Sequence, residues 1–175
     1  MANYIGNMIA NSGTLAMGYA EGLLKGIPAE HFARFASPGG QVVHSNHAAF
    51  IIGHLGLYGH QMVEELGGPL AADTIPTRFA ELFSKTATCD DDRDGSRYPS
   101  PTEITDVFFT GYRAAIDALR NTDDELLCGE NPSDGPIKKR FPTLGGLHGF
   151  YMGGHVMMHL GQLSAFRRML GLKPA

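Results

Sequence analysis

Residues 153 to 170 read GGHVMMHLGQLSAFRRML, which places His155 and His159 four positions apart in an otherwise apolar run. Neutral imidazole is a common ligand of zinc, nickel, copper and iron, and a pair at i and i+4 on one helix spans an edge of a tetrahedral or octahedral site with little strain. Chance supplies part of the pattern, since eight histidines in 175 residues give roughly 0.4 such pairs at random. The remaining histidines and their neighbours must therefore decide between a ligand pair and two hydrogen-bonded core side chains.

On a helix, His155 and His159 lie within about 40° of each other, and His148, seven positions before His155, falls between them. The same arithmetic puts His47 and His54 about 20° apart on an earlier helical segment, with His60 pointing elsewhere. Met157, Met158, Leu160 and Leu163 beside Ile51, Ile52 and Leu55 offer ring nitrogens almost no hydrogen-bond partners. A divalent metal meets that need, with a third ligand supplied by the neighbouring helix, where His54 and His47 share a face. Tyr58, one turn after His54, and Gln162, three residues after His159, are placed to face the same cavity or to hydrogen-bond a ligand. Core packing and a helix–helix contact are the plainer roles for those two side chains.

The elements that carry these residues are helical. Tyr4, Ile5, Met8, Ile9, Leu15, Tyr19, Leu23 and Leu24 recur at helical spacing and predict a first helix over 4–24, stopped by Pro28, with a short helical turn in AEHFARF. Ser45 and Asn46 as caps, and Gly67-Gly68 as a stop, predict a second helix over 46–66. Pro69, Pro76 and Pro99 break the stretch from 69 to 100, leaving one short helix around TRFAELFS and a polar loop, CDDDRDGSRYPS, expected to be partly mobile. Ser100-Pro101-Thr102-Glu103 combines a serine cap, a proline in the first helical position and a glutamate three after the cap, and predicts a third helix over 101–121. A loop from 122 to 142 precedes a fourth helix, from Thr143 to about Leu170. In that helix Gly153-Gly154 suggests a close helix approach beside His155. Arg167 and Arg168 suit the negative end of the helix dipole and solvent. Four long helices, no alternating strand pattern and no internal repeat predict an all-α bundle in one domain, residues 1–175, each helix burying one stripe.

Composition narrows the partners. Fourteen Lys+Arg against 18 Asp+Glu, a net charge of −4, give no basic surface suited to nucleic acid. The N-terminal stretch is interrupted by asparagines and fits neither a signal peptide nor a membrane span. Cys89 and Cys128 are two thiols in loops, neither beside a His in an activating pattern, which suits a reducing cytoplasm. The segment from Asp90 to Gly95 matches the first half of a calcium loop, but the twelfth position is Pro101 rather than a bidentate glutamate, so a solvated acidic loop is expected.

The segment NHAAFIIGHLGLYGHQM, followed late in the chain by H-x3-H-x-G-Q-L-x3-R-R-x-L-G, resembles the DinB-like superfamily of metalloproteins over most of the chain. The resemblance implies a four-helix bundle with short extra helices in its connections. It also implies a metal held by one histidine of the second helix and the HxxxH pair of the last, here His54, His155 and His159; His47, which shares the face of His54, is the second choice for the third ligand. Imidazole ligands point to zinc or nickel first, with iron or manganese as alternatives, and the resemblance implies pairing into a homodimer. An open metal position next to three histidines then predicts a metal-dependent enzyme acting on a small molecule, either a transferase of low-molecular-weight thiols or a hydrolase. The alternative is a stress-related bundle that binds a metal or ligand and turns nothing over, since Glu64 and Glu65, the nearest acids, lie more than two turns beyond His54.

Overall fold

The computed structural model describes residues 2–68 and 75–175, so Pro69 lies outside the described residues. Among those residues the chain is all helical with no strand, and one isolated bridge pairs Glu130 with Thr143. No helix there is long and apolar enough to cross a membrane.

The first helix, α1, spans Tyr4–Leu24 as its periodicity predicts. Its N-terminus is held from far along the chain, where the Asp124 carboxylate accepts the amides of Tyr4 at 3.1 Å and Ile5 at 2.9 Å, an anion at the positive end of a helix. A 3-10 turn, Ala29–His31, occupies the AEHFARF stretch.

Helix α2, Ala48–Glu65, begins later than predicted. Neither Ser45 nor Asn46 caps it: the cap is His47, whose Nδ1 accepts the amide of Phe50 at 3.2 Å. An imidazole thus does what a serine or asparagine was expected to do.

A short helix, α3 (Arg78–Phe83), lies within the TRFAELFS stretch, and α4, Pro101–Arg120, starts where Ser100 Oγ accepts the amide of Glu103 at 3.2 Å. The stretch from 122 to 142 is not all loop, since it contains α5, Asp124–Cys128, and α6, Pro136–Arg140.

The last helical stretch is not one regular helix. It consists of α7, Leu144–Gly149, a π-helical turn over Phe150–His155, and α8, Val156–Met169. Such wide turns inside α-helices are uncommon and cluster at functional sites. Gly153 and Gly154 sit in this turn, but neither marks a close helix approach: a Cβ on Gly153 would meet nothing within 4 Å, and one on Gly154 would make ordinary contact with Phe150.

The tight crossing is elsewhere. A Cβ on Gly59 would lie 2.6 Å from the backbone of Gly111, and one on Gly111 would lie 2.6 Å from the His60 ring, so α2 and α4 touch backbone to backbone. Gly53 likewise leaves room for the Phe83 ring. Helix α2 packs on α4, on α3 and on α8, while α1 packs on α4 and α8. As a result α2 buries not one stripe but nearly its whole circumference, from Phe50, Ile51, Ile52 and Leu55 to Met62 and Val63.

Arg167 is no solvent-facing end charge. It donates to the carbonyls of Leu23 and Lys25 at the end of α1 and, at 2.6 Å, to that of Lys173, tying α8 to α1 and the C-terminal tail. Arg168 does stay local, donating to Ser164 O at 3.2 Å.

Candidate metal centre

Three imidazoles converge where α2 meets the π-turn and α8. His54 comes from the middle of α2, His155 from the last position of the π-turn and His159 from the first turn of α8. Each offers one ring nitrogen, and those nitrogens all lie within 4.8 Å of one another. The ring centroids are 4.8 to 5.5 Å apart.

The surroundings select which nitrogen faces inward. His54 Nδ1 donates to the carbonyl of Phe83 at 2.7 Å, which leaves Nε2 as the lone-pair nitrogen. His159 Nδ1 donates to Gln162 Oε1 at 3.2 Å, and that oxygen also accepts from Asn46 Nδ2 at 3.4 Å. His155 has no such partner, and its Nδ1 is buried and unpaired. A buried polar atom without a partner is costly, and a neutral cluster of three convergent imidazoles is a donor set suited to a borderline divalent cation rather than to calcium or magnesium. The residues present fit a metal ion.

Burial keeps these groups neutral. It pushes His155 down to about 3, with His159 and His54 adding repulsion, and it also lowers His159, where His54 adds to the effect and the Gln162 hydrogen bond opposes it. His54 is lowered by burial against the opposing Phe83 hydrogen bond. His47 and His60 are lowered for the same first reason. For each of these five, the folded value lies below the usual 6.5, so folding favours the neutral form; the stabilisation is complete above that pH and is lost as pH falls toward the folded value. The melting temperature of the metal-free protein is therefore expected to fall by at least about 5 °C between about pH 7.5 and about pH 5. A melting temperature that is flat or rises over that interval contradicts the burial of neutral imidazoles.

The other predicted neighbours divide. Tyr58 faces the cluster, its ring centroid 4.4 Å from that of His155 and 5.1 Å from that of His54, and burial raises its hydroxyl above the usual value, so it stays a phenol. Gln162 touches His159 as described. His47 is not in the group: its Nδ1 caps α2 and its Nε2 donates to Asp90 O at 3.0 Å, so both nitrogens are engaged. His148 is not in it either. The π-turn breaks the regular angular count that set His148 between His155 and His159, and its Nε2 instead meets Glu65 Oε2 at 2.7 Å, in an otherwise buried pair. His60 donates to Val107 O at 3.1 Å on the α4 side.

Several contributors carry no signal in their residue type. The Phe83 carbonyl is a backbone group; Asn46 reads as a helix cap; Cys89 reads as a loop thiol. Yet a cavity of about 340 Å³ opens in front of His54 and His159, lined also by Asn46, Ser84, Lys85 and Cys89. Burial pushes the Cys89 thiol up to about 11, so it is no ready nucleophile. A cavity of about 430 Å³ between α1 and α4, around Arg113 and Arg120, lies away from the histidines.

The acidic loop holds no candidate cation site. Asp91 pairs with Arg34 at 2.7 Å and Arg93 at 3.0 Å, Asp90 pairs with Arg97 at 2.5 Å, and Asp92 is buried, its carboxylate accepting the amides of Ser96, Arg97 and Tyr98. The loop is solvated over residues 93–97, as expected, while its carboxylates tie it to Arg34 and to its own backbone.

No family model, curated protein or solved structure matches the chain.

Proposed function

We propose that this chain is a metal-dependent enzyme acting on a small molecule, in which His54, His155 and His159 hold one divalent cation. The observation that carries the proposal is the convergence of three ring nitrogens within 4.8 Å, two of their residues, His54 and His159, lining a cavity large enough for a small substrate. Zinc or nickel suits three neutral imidazoles best, with iron or manganese as alternatives. Such a cation supplies Lewis acidity to an oxygen or sulfur of the substrate.

The chain's own groups do the rest. Phe83 O and Gln162 Oε1 hold His54 and His159 in one tautomer, with Nε2 presented inward. Phe50 gives the cavity an apolar wall, and the Tyr58 ring packs on His54 and His155. Asn46 and Ser84 supply polar contacts at the mouth of the cavity.

The fold assignment that goes with this proposal is a four-helix bundle of the DinB-like type, made of α1, α2, α4 and the α7–α8 stretch. The motif residues around His54 and HxxxH support it, as does the packing of α1 and α2 on both α4 and α8. Pairing into a homodimer through α1 suits Tyr4, Met8 and Leu15, which are exposed along one face of that helix. Free Cys89 and Cys128 suit a reducing cytoplasm.

Among reactions, transfer of a low-molecular-weight thiol is preferred over hydrolysis, because among the described residues no carboxylate belongs to the histidine group and Glu65 is taken up by His148. The same lack of a neighbouring base supports the second reading, a binding protein without turnover. Metal-loaded protein is expected to accelerate conjugation of bacillithiol, mycothiol or glutathione to a model electrophile, and flat rates with all three would favour the binding reading.

A further inference from the structure

A second cavity adjoins the one in front of the histidines. Lys85, on the wall of the first just after α3, also lines the second, of about 310 Å³, formed with Asp134, Ile137 and Arg140 beside α6. The described lining of the first cavity contains no carboxylate, and that of the second contains only Asp134 against Lys85 and Arg140. Nearby Lys138 is paired with Glu130 at 2.8 Å, whereas no ion pair among the described residues takes up Lys85 or Arg140. Two cations against one acid, at the junction of two cavities, make a field that favours an anion in a place where the histidine cluster itself is neutral.

We propose that Lys85, with Arg140 behind it, is an anion-recognition subsite of the metal centre, so that the substrate is a two-ended molecule carrying a metal-binding group at one end and a carboxylate at the other. The proposal rests on the metal reading above and adds to it the class of substrate. The ammonium of Lys85 is a point charge on a flexible stem, suited to meet a carboxylate whose position is set by the other end of the molecule. Because the side chain is solvated, its contribution is modest and falls with added salt.

The test uses two hydroxamates that share a metal-binding group and differ in the tail: acetohydroxamate, with a methyl, and succinate monohydroxamate, with a carboxylate. Each is titrated into cobalt(II)-loaded protein and followed by the visible spectrum of the metal. The carboxylate-tailed probe is expected to bind about fivefold more tightly at low salt. Lys85→Met is expected to remove that preference while leaving acetohydroxamate binding unchanged, and Lys85→Glu to reverse it. Equal affinities in the unaltered protein, or a preference that survives both substitutions, overturn the subsite while the metal centre stands. Failure of cobalt to bind at all removes the metal reading and the subsite together.

Discussion

Replacing His155 with alanine is expected to lower divalent-metal affinity on the order of 10³-fold, more than the about 10–100-fold lost when a residue supporting a metal ligand is removed. The argument starts from geometry. Two of the three imidazoles are held by their outer nitrogens, His54 by Phe83 O and His159 by Gln162, while His155 is buried with Nδ1 unpaired. Without His155 the remaining pair comes from two different helices and leaves an incomplete donor set. Gln162→Ala, by contrast, frees the His159 ring without removing a ligand and belongs at the lower end, about tenfold. The same His155→Ala change should leave a second mark on the metal-free protein. It removes the most strongly depressed of the cluster's imidazoles, so the melting temperature should fall less steeply with acid than in the unaltered chain. Isothermal titration with zinc and a melting series in pH read the two effects separately. An unchanged zinc affinity in His155→Ala would contradict the assignment of this residue.

Gly59→Ala is expected to destabilise the fold by about 3 kcal/mol, the upper part of the usual range for overpacking. A single methyl there meets the backbone of Gly111 and Tyr112 at 2.6 Å, and backbone cannot swing aside as a side-chain tip can. The α2–α4 crossing would have to open, and that crossing carries His54 toward the last helix. Urea unfolding of the metal-free variant measures the effect. Gly153→Ala is the control, because a methyl there meets nothing within 4 Å, and its expected effect on stability is within about 1 kcal/mol. Equal stabilities for the two variants would mean that the tight crossing has been misplaced.

The two glycine pairs show what residue types reveal and what they hide. Gly153-Gly154 stands out in sequence as poor helix chemistry and invites a close approach, but its neighbours are open and the glycines belong to a π-turn. Gly59 and Gly111 lie more than fifty positions apart, so their contact is a product of packing that neither local stretch announces. Local signals worked where the cause was local. The apolar spacing of residues 4 to 24 set α1, and Ser100-Pro101 set the start of α4.

Angular counting along a helix carried the histidines only part of the way. It put His54, His155 and His159 on inward faces, where the structure brings them together, but it put His47 and His148 there as well. Those two are withdrawn by partners that no periodicity displays: the Phe50 amide and Asp90 carbonyl for His47, and Glu65, more than eighty positions away, for His148. The Phe83 carbonyl that orients His54 is equally silent, since every residue has one. Where a side chain competes for a backbone partner or a distant acid, only the assembled fold decides its role.

X-ray absorption at the edge of a bound metal, on protein purified without a histidine tag and loaded with one zinc per chain, tests the central claim most directly. Three imidazole nitrogens at about 2.0–2.1 Å with one light-atom neighbour besides are the expected shell. A sulfur neighbour at about 2.3 Å, a shell of oxygens without imidazole scattering, or no retained zinc would contradict a centre built from His54, His155 and His159.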